Sequence, residues 1–339
     1  MRCCVTGATG FVAHYLCSHL LDLGHEVHGF SVWRDMDTRF TRPLAGRMKH
    51  SLVDICDPVA LDNFFDGQHF DAIFHLAGQS LISAAKTNPG WTFQVNAAGT
   101  ANLLEAIVRN KIGPRFIQLS SSSDVYGDVP EDRQPIREWT THDRGAFLTP
   151  VQADNSYGTS KAAMELIGKQ YKEQHGLNII STRLFTCCGP MQYDDSMLGY
   201  FSKKCALVAL GKSNELPIIG CPTNKRNFID VRDTVRAYVS LMDLGLETEI
   251  YHDAVNVAGA ETWTIGGIAT ALEYHVFDAT GKTVEIPIDE TKARPNDKHV
   301  QVGSGSLLKE LTGFIPEIPF DRTIRESFDY WCSVYGGSQ

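Results

Sequence analysis

The sequence predicts an α/β protein with a doubly wound parallel sheet and a smaller C-terminal region. Two observations support this fold class. Short apolar runs alternate with longer amphipathic runs over the first half of the 339 residues, and a glycine-rich turn joins the first apolar run to the first amphipathic one. Strands that alternate with helices pair in parallel, because each helix returns the chain to the same edge of the sheet.

The apolar and amphipathic runs assign the elements in chain order. The run RCCVTG at 2–7 predicts a buried strand, and the segment 11–24 has apolar residues at helical spacing and ends at Gly24. Further strands are predicted at 26–30, 71–78, 115–123 and 178–185. Further helices are predicted at 92–110, 155–176, 231–245 and 320–334.

The chain is predicted to divide near residue 185. Residues 1–185 read as one domain, whereas past residue 190 Gly, Pro and Asn interrupt shorter elements, so 186–339 reads mainly as a smaller ligand-binding region. Residues 226–257 are expected to return to the main sheet. A ligand would then bind between the two parts, beyond the carboxyl ends of the strands.

Composition argues against several classes of protein. A net charge of −9 without a basic run is unlike a protein that binds nucleic acid or an anionic membrane, and no apolar run has the length of a membrane span. The N-terminus MRCCVTGATGF does not have the pattern of a signal peptide. Nine cysteines without a C-x-x-C pair, and twelve histidines without H-x-x-x-H, predict a cytoplasmic protein that has no disulfide framework and no metal.

The turn TGATGFVA at 6–13 has the features of a dinucleotide site. Gly7 and Gly10 flank the start of the first helix, where backbone amides and the helix N-terminus suit a pyrophosphate. The spacing is G-x-x-G-x-x-A, which is weak evidence alone but stronger at the first strand–helix turn of the chain. The expected contacts in this turn come from Gly7, Thr9, Gly10, Phe11 and Val12.

The end of the second strand favours NADP(H) over NAD(H). An acidic residue there would bind the adenosine ribose of NAD, but this chain has GFSVWR at 29–34. Ser31 and Arg34 could instead hold a 2′-phosphate, the alternative being that Arg34 is a solvated loop charge. NAD(H) therefore remains open. Asp54 and Ile55, after the next strand, could bracket the adenine.

Tyr157 and Lys161 lie four residues apart in NSYGTSKAAME, so a helix would place them on one face. A neighbouring ammonium favours the phenolate, which predicts a Tyr157 pKa below its usual value of about 10. A tyrosine tuned in this way can exchange a proton near neutral pH. The alternative is a chance pair, in which a half-exposed ring lies beside a solvated ammonium.

Five motifs in order resemble the extended short-chain dehydrogenase/reductase family, in its nucleotide-sugar branch. They are TGATGFVA at 6–13, HLAGQS at 75–80, NAAGT at 96–100, SSSSDVYG at 120–127, and Y-x-x-x-K at 157 and 161. The C-terminal motifs RNFIDVRD at 226–233 and ARPND at 293–297 are most similar to those of GDP-4-keto-6-deoxy-mannose reductases and GDP-mannose 4,6-dehydratases. The resemblance implies a Rossmann domain that binds the dinucleotide, and a nucleotide-sugar substrate.

The resemblance also implies a role for each matching residue. A hydride would move between the nicotinamide and the sugar C4, while Ser122 and Tyr157 hold the C4 oxygen, Tyr157 transfers its proton and Lys161 binds the nicotinamide ribose. Asn96 would orient the active-site helix or the cofactor; the alternative is a helix cap. Further cofactor contacts are expected from Leu76, Ala77, Gly78 and Gln79. Substrate contacts are expected from Ser80, Ser122, Ser123, Thr186, Arg226 and Arg294, the two arginines being diphosphate ligands or members of structural ion pairs.

Two positions depart from the family pattern. Thr186 stands where relatives commonly carry an asparagine, in R-x-x-N-x-x-G-P. Asp124 stands where dehydratases carry the glutamate that takes the C5 proton of the sugar. An aspartate is one methylene shorter, although it could still act as a base, so Asp124 is also a catalytic candidate.

The sequence favours an NADP(H)-dependent reductase of a GDP-linked 4-keto-6-deoxy sugar. A 4,6-dehydratase, a 4-epimerase and a catalytically silent dinucleotide sensor remain alternatives, although a sensor has no need of the proton-transfer residues. Apolar stripes on the helices at 92–110 and 155–176 predict a homodimer with a four-helix interface.

Overall fold

A seven-stranded parallel sheet forms the centre of the computed structural model, which describes residues 1–32, 42–138, 149–293 and 297–337. Its strand order is β3-β2-β1-β4-β5-β6-β9, and every neighbouring pair is parallel. The predicted fold class is therefore confirmed. The strands are β1 Arg2–Thr6, β2 Glu26–Ser31, β3 Lys49–Leu52, β4 Ala72–His75, β5 Phe116–Ser122, β6 Ile179–Leu184 and β9 Ala254–Val257.

Helices cover both faces of this sheet. On one face, α1 (Phe11–Asp22) packs against α8 (Val231–Glu247), and their apolar side chains meet Cys3 and Val5 of β1. On the other face, α2 (Pro58–Phe65), α5 (Gly99–Arg109) and α6 (Ser156–His175) bury a second core around Cys4 and Ile73. Neighbouring residues of β1 thus point to opposite faces, which is why its run is continuously apolar.

The strand order reverses between β1 and β4. The chain runs outward from β1 to β2 and β3, then crosses back to β4 and continues to β5 and β6 on the other side. Loops that leave the carboxyl ends of β1 and β4 therefore diverge and open a crevice, which is where ligands bind in open α/β sheets.

A smaller second sheet follows the main one. Its strands are β7 Thr186–Cys188, β8 Lys225–Asp230, β10 Thr262–Thr264 and β11 Val300–Gln301, with β8 paired to each of the other three. Helices α7 (Met197–Ala209), α9 (Ile265–Thr280) and α11 (Phe320–Gly336) pack together beside this sheet. Their core includes the stacked rings of Phe228 and Phe320, whose centroids are 4.4 Å apart.

The return to the main sheet differs in part from the expectation for 226–257. Strand β9 pairs with β6 in the main sheet and helix α8 packs on that sheet, but β8 belongs to the second sheet. The reason lies in its partners, because β8 pairs with β7, β10 and β11 rather than with β6. The chain re-enters the main layer only at Val231, where α8 begins.

The helix predicted at 92–110 has a different architecture. It begins earlier, as α3 (Ile82–Thr87) and α4 (Pro89–Phe93), and passes through a π-helical turn, Gln94–Ala98, before α5. Such wide turns often occur at functional sites. Past residue 190 the sequence analysis predicted two helices, and the structure adds α7, α9 and α10 (Ser306–Thr312). None of the described helices combines the length and the apolar character needed to cross a bilayer.

Candidate active site

The glycine turn after β1 packs closely against the end of β4. Gly7 has a φ of +67°, and a Cβ atom there would lie 2.7 Å from the backbone nitrogen of Ala77. The amide of Gly10 donates to the Gly7 carbonyl oxygen at 2.9 Å, and α1 begins at the next residue, Phe11. Gly10 has no side chain with which to cap α1, so the first amides of the helix suit an anionic ligand.

A buried histidine supports the loop after β4. His75 Nδ1 lies 2.8 Å from Thr6 Oγ1, and its Nε2 lies 3.0 Å from Thr100 Oγ1. Thr6 Oγ1 also accepts from the Ala77 amide at 2.9 Å. Burial lowers the pKa of His75 to about 3, so the ring is neutral and can accept on one nitrogen while it donates from the other. These hydrogen bonds hold Leu76 and Ala77 at the edge of the crevice.

Asn96 lies in the π-helical turn and joins that loop to α6. Its Oδ1 accepts from the Gln79 amide at 2.8 Å, and its Nδ2 donates to the Gln79 carbonyl oxygen and to Ser160 Oγ, both at 2.9 Å. A Cβ atom at Gly78 would lie 3.0 Å from Asn96 Oδ1 and 3.3 Å from Lys161 Nζ. The structure thus brings Gly78, Gln79, Asn96 and Lys161 together, with Asn96 bridging two elements rather than capping a helix.

Ser122 and Tyr157 meet where β5 ends and α6 begins. Ser122 Oγ donates to Asp124 Oδ2 at 3.0 Å and accepts from the Asp124 amide at 3.1 Å, within a tight 3₁₀ turn. Tyr157 lies in the first turn of α6, whose N-cap is Asn155. A Cβ atom at Gly158 would lie 2.4 Å from the Asp124 carbonyl oxygen, so glycine is needed for the helix to approach the turn this closely.

The predicted lowering of the Tyr157 pKa is wrong for this structure. Burial raises the pKa of the phenol above its usual range, the Asp124 carboxylate raises it further, and a hydrogen bond with Ser122 offsets only part of the increase. Lys161 Nζ donates instead to the carbonyl oxygen of Ser120, at 2.8 Å. Burial lowers the pKa of Lys161 to about 8, with Glu165 acting in the opposite direction.

An ion pair beneath the site fixes α6 to the sheet. The Arg183 guanidinium on β6 contacts Glu165 of α6 in a fork, with Nη2–Oε2 at 2.7 Å and Nε–Oε1 at 3.0 Å. Ser121 Oγ donates to the same carboxylate at 2.5 Å, and Arg183 Nη1 donates to the Tyr126 hydroxyl at 2.8 Å. Both charged side chains are buried, and this pairing fixes the rotation of α6 and therefore the direction of Tyr157 and Lys161.

The described residues expected near the adenosine make contacts with other residues of the protein. Ser31 Oγ lies 2.9 Å from His50 Nε2 on β3. Asp54 Oδ1 accepts from the Cys56 amide at 2.8 Å and so caps its own turn, whereas Ile55 is buried against Gly99. Arg34 lies outside the described residues.

The predicted substrate residues are distributed between the two parts of the chain. Ser80 is exposed at the rim of the crevice, Thr186 begins β7, and Ser123 Oγ accepts from Gln301 Nε2 at 3.1 Å. Arg226 contacts Asp297 Oδ1 at 3.1 Å and the Lys298 carbonyl oxygen at 2.6 Å, as in the structural alternative. Arg294 lies outside the described residues.

A model of the GDP-mannose 4,6 dehydratase family matches residues 4–327. The chain belongs to this family. Its relatives include GDP-6-deoxy-D-mannose reductase of Pseudomonas aeruginosa, 28% identical with 97% of each chain covered, and UDP-glucose 4-epimerase of Lacticaseibacillus casei, 26% identical with 97% of this chain and 96% of the relative covered. The structure of RMD from P. aeruginosa complexed with NADPH superposes with a TM-score of 0.81 at 27% identity, covering 98% of this chain and 99% of that one.

These findings confirm the resemblance read from the motifs. The chain is an NAD(P)-dependent nucleotide-sugar oxidoreductase of the GDP-mannose 4,6 dehydratase family. Sequence reasoning did not predict the hydrogen bonds of His75, the Arg183–Glu165 pair or the contact of Lys298 with Asp124. Arg183 and His75 had a signal, because they begin the segments R-x-x-N-x-x-G-P and HLAGQS, but their partners and Lys298 are distant in sequence.

Proposed function

We propose that this enzyme is an NADP(H)-dependent reductase of a GDP-linked 4-keto-6-deoxy sugar, with the mannose derivative as substrate. The observation that carries the proposal is the Tyr157 phenol, which is buried beside Ser122 and is protonated at neutral pH, its pKa being raised further above neutrality by burial. A protonated phenol beside Ser122 is a general acid. Reduction of a ketone needs an acid at the oxygen, whereas a dehydratase or an epimerase starts by removing the proton of a C4 hydroxyl.

The residues of the crevice fit a pyridine dinucleotide. Gly7 leaves the space that a Cβ would fill against Ala77, and the uncapped start of α1 suits a pyrophosphate. When bound, the nicotinamide supplies a hydride to the sugar C4. Lys161, which lies beside Gly78, would hold the nicotinamide ribose. Ser31 and Arg34 support NADP(H), as does the NADPH complex of the P. aeruginosa structure.

Three side chains then act on the substrate. Ser122 turns its hydroxyl hydrogen from Asp124 to the C4 oxygen, Tyr157 gives its proton to that oxygen as negative charge develops there, and the nearby Lys161 ammonium stabilises the phenolate that remains. Thr186 and Ser80 would contact the sugar nucleotide, with Arg294 at its diphosphate. Arg226 shapes the segment 297–299 through its contacts with Asp297 and Lys298, and we propose this as its role ahead of direct phosphate binding.

A GDP-mannose 4,6-dehydratase is the second candidate. The Asp124 carboxylate lies next to Ser122, at the position where the related dehydratases carry their C5 base. In a dehydratase the bound cofactor is oxidised and reduced again within one cycle, so that no reduced cofactor is consumed. The two candidates therefore differ in stoichiometry as well as in substrate.

Assembly and location follow from the same proposal. We infer a homodimer in the cytoplasm, in which α5 and α6 of two copies form a four-helix interface. Leu166 supports this surface, because it lies on α6 with 68% of its area exposed. A second copy packed on this face would remove the apolar surface of Leu166 from water.

Two incubations test the proposed function. With the 4-keto-6-deoxy derivative of GDP-mannose, we expect one NADPH to be consumed for each GDP-6-deoxy sugar formed. With GDP-mannose and oxidised cofactor, we expect no 4-keto product. Formation of a 4-keto-6-deoxy sugar from GDP-mannose without net use of NADPH would show that the enzyme is the dehydratase.

A further inference from the structure

Lys298 connects the C-terminal region to the turn that carries Ser122. Its Nζ lies 3.2 Å from Asp124 Oδ1, while Asp124 Oδ2 accepts the hydrogen bond from Ser122 Oγ at 3.0 Å. Only 9% of the Lys298 side chain and 16% of the Asp124 side chain are exposed. One carboxylate is therefore held between a cation and the hydroxyl group that would bind the substrate ketone.

The backbone that presents Lys298 is fixed from several directions. Arg226 Nη2 donates to the Lys298 carbonyl oxygen at 2.6 Å and to Asp297 Oδ1 at 3.1 Å. The Lys225 amide donates to the His299 carbonyl oxygen at 2.8 Å. Two residues further, Gln301 Nε2 donates to Ser123 Oγ at 3.1 Å. Lys298 therefore has a defined place against the catalytic turn, unlike a mobile surface lysine.

A carboxylate in this place could remove the C5 proton of a 4-keto sugar. The ketone acidifies the hydrogen on C5, and a base can take that proton while the C–H electron pair moves into the double bond of an enolate. Return of a proton from solvent then exchanges or inverts C5, with no net oxidation or reduction. A carboxylate fixed by an ammonium at 3.2 Å must first leave this ion pair before it can turn to the C5 hydrogen.

We propose that Lys298 determines the specificity of the reaction by keeping Asp124 in an ion pair, so that Asp124 positions Ser122 and does not remove the C5 proton. The site then reduces the ketone without enolising it. This inference rests on the proposed reductase function. It also gives a structural reason why an acid stands at position 124 of an enzyme that needs no C5 base.

Deuterium exchange at C5 tests the role of Lys298. Lys298→Met, Lys298→Arg and the double variant Lys298→Met/Asp124→Asn are incubated in D₂O with the GDP-linked 4-keto-6-deoxy sugar and oxidised cofactor, so that reduction cannot compete. We expect Lys298→Met to raise the rate of C5 exchange about 10-fold, because the carboxylate released from the ion pair can act as a general base on C5. Lys298→Arg keeps the charge, so its rate of C5 exchange should equal that of the unmodified enzyme. The double variant should show this same low rate, because it has no carboxylate at position 124.

The controls separate this inference from the proposed function. A C5 exchange rate in Lys298→Met that equals that of the unmodified enzyme, or an increase that persists in the double variant, would overturn the role of Lys298. NADPH consumption by the unmodified enzyme is measured on the same preparation, and its absence would overturn the reductase instead. Should Lys298→Met fail to fold, Lys298→Gln carries the same test, because it also removes the charge.

Discussion

At the scale of single residues, Tyr157 shows how burial assigns a catalytic role. The phenol is enclosed between the end of β5 and the start of α6, and its anion loses the hydration that water would give. The Asp124 carboxylate adds to the cost of ionisation. In the proposed reduction, Tyr157 is thus the protonated group that gives its proton to the sugar oxygen as negative charge develops there.

Tyr157→Phe removes this donor and little else. We expect turnover to fall by about 10²–10⁴-fold, the usual contribution of a positioned general acid, while cofactor affinity remains within a factor of about two. Steady-state kinetics and cofactor titration measure the two effects. Tyr171→Phe is the matched control, since it removes the same hydroxyl from a half-exposed ring of the same helix. A Tyr157→Phe enzyme with unchanged turnover would remove Tyr157 from the mechanism.

Motifs could predict which residues gather at the site, but not their electrostatics. Ser122, Tyr157 and Lys161 carry a signal because their spacing is fixed by one strand end and one helical turn. The pKa of Tyr157 depends instead on how completely distant elements enclose it, and the sequence analysis had the wrong direction. Lys298 was not predicted, because its partner Asp124 is 174 residues away and no local pattern links them.

At the scale of elements, α6 is the part on which the site depends. Its first two turns carry Tyr157 and Lys161, its middle is held by the Arg183–Glu165 pair, and Gly158 lets its N-terminus contact the turn after β5. The direction of the catalytic side chains therefore follows from how closely one helix approaches one turn. A glycine in the first turn of a helix would otherwise only reduce its stability.

Gly158→Ala is expected to damage both stability and activity. The added methyl group would lie 2.4 Å from the carbonyl oxygen of Asp124, a backbone atom that cannot move as a side chain can. Overpacking of this kind costs about 1–3 kcal/mol and should move Tyr157 away from Ser122. Thermal unfolding and kcat are the measurements.

Gly90→Ala is the matched control for this change. Gly90 also lies in a helix, α4, and a Cβ atom there meets nothing within 4 Å among the described residues. We expect it to leave the free energy of unfolding unchanged or slightly higher, since alanine favours a helix over glycine. Equal effects of the two substitutions would show that the close approach of α6 is unimportant.

Element prediction succeeded where periodicity is regular and failed where glycine interrupts it. Strands β1, β2, β4, β5 and β6 of the main sheet and helices α1, α6, α8 and α11 were predicted within a few residues, whereas β3 and β9 were given no range of their own. Helix α9 begins with IGGIA and α7 contains Gly199, so both patterns looked like loops, although tertiary packing against Phe320 and Trp331 stabilises them. The π-helical turn around Asn96 has no sequence signature, because it forms to let the Asn96 amide reach Gln79 and Ser160.

At the scale of the whole molecule, polar contacts join the turn after β5 of the main sheet to the C-terminal segment around β11. Lys298–Asp124 and Gln301–Ser123 lie directly beside the catalytic serine, and Arg226 holds the segment from which Lys298 and Gln301 extend. The C-terminal region therefore contributes side chains to the candidate active site. In the proposed function, reduction at C4 without reaction at C5 depends on both parts of the chain.

The fate of the cofactor hydride tests this account most directly. The enzyme is given the GDP-linked 4-keto-6-deoxy sugar and NADPH that carries deuterium at both C4 positions of the nicotinamide, in ordinary water. The account predicts one deuterium atom on C4 of the sugar product, none on C5, and one NADPH oxidised per product, as measured by mass spectrometry and absorbance. A product without deuterium at C4, or product formed while NADPH remains undiminished, would contradict it.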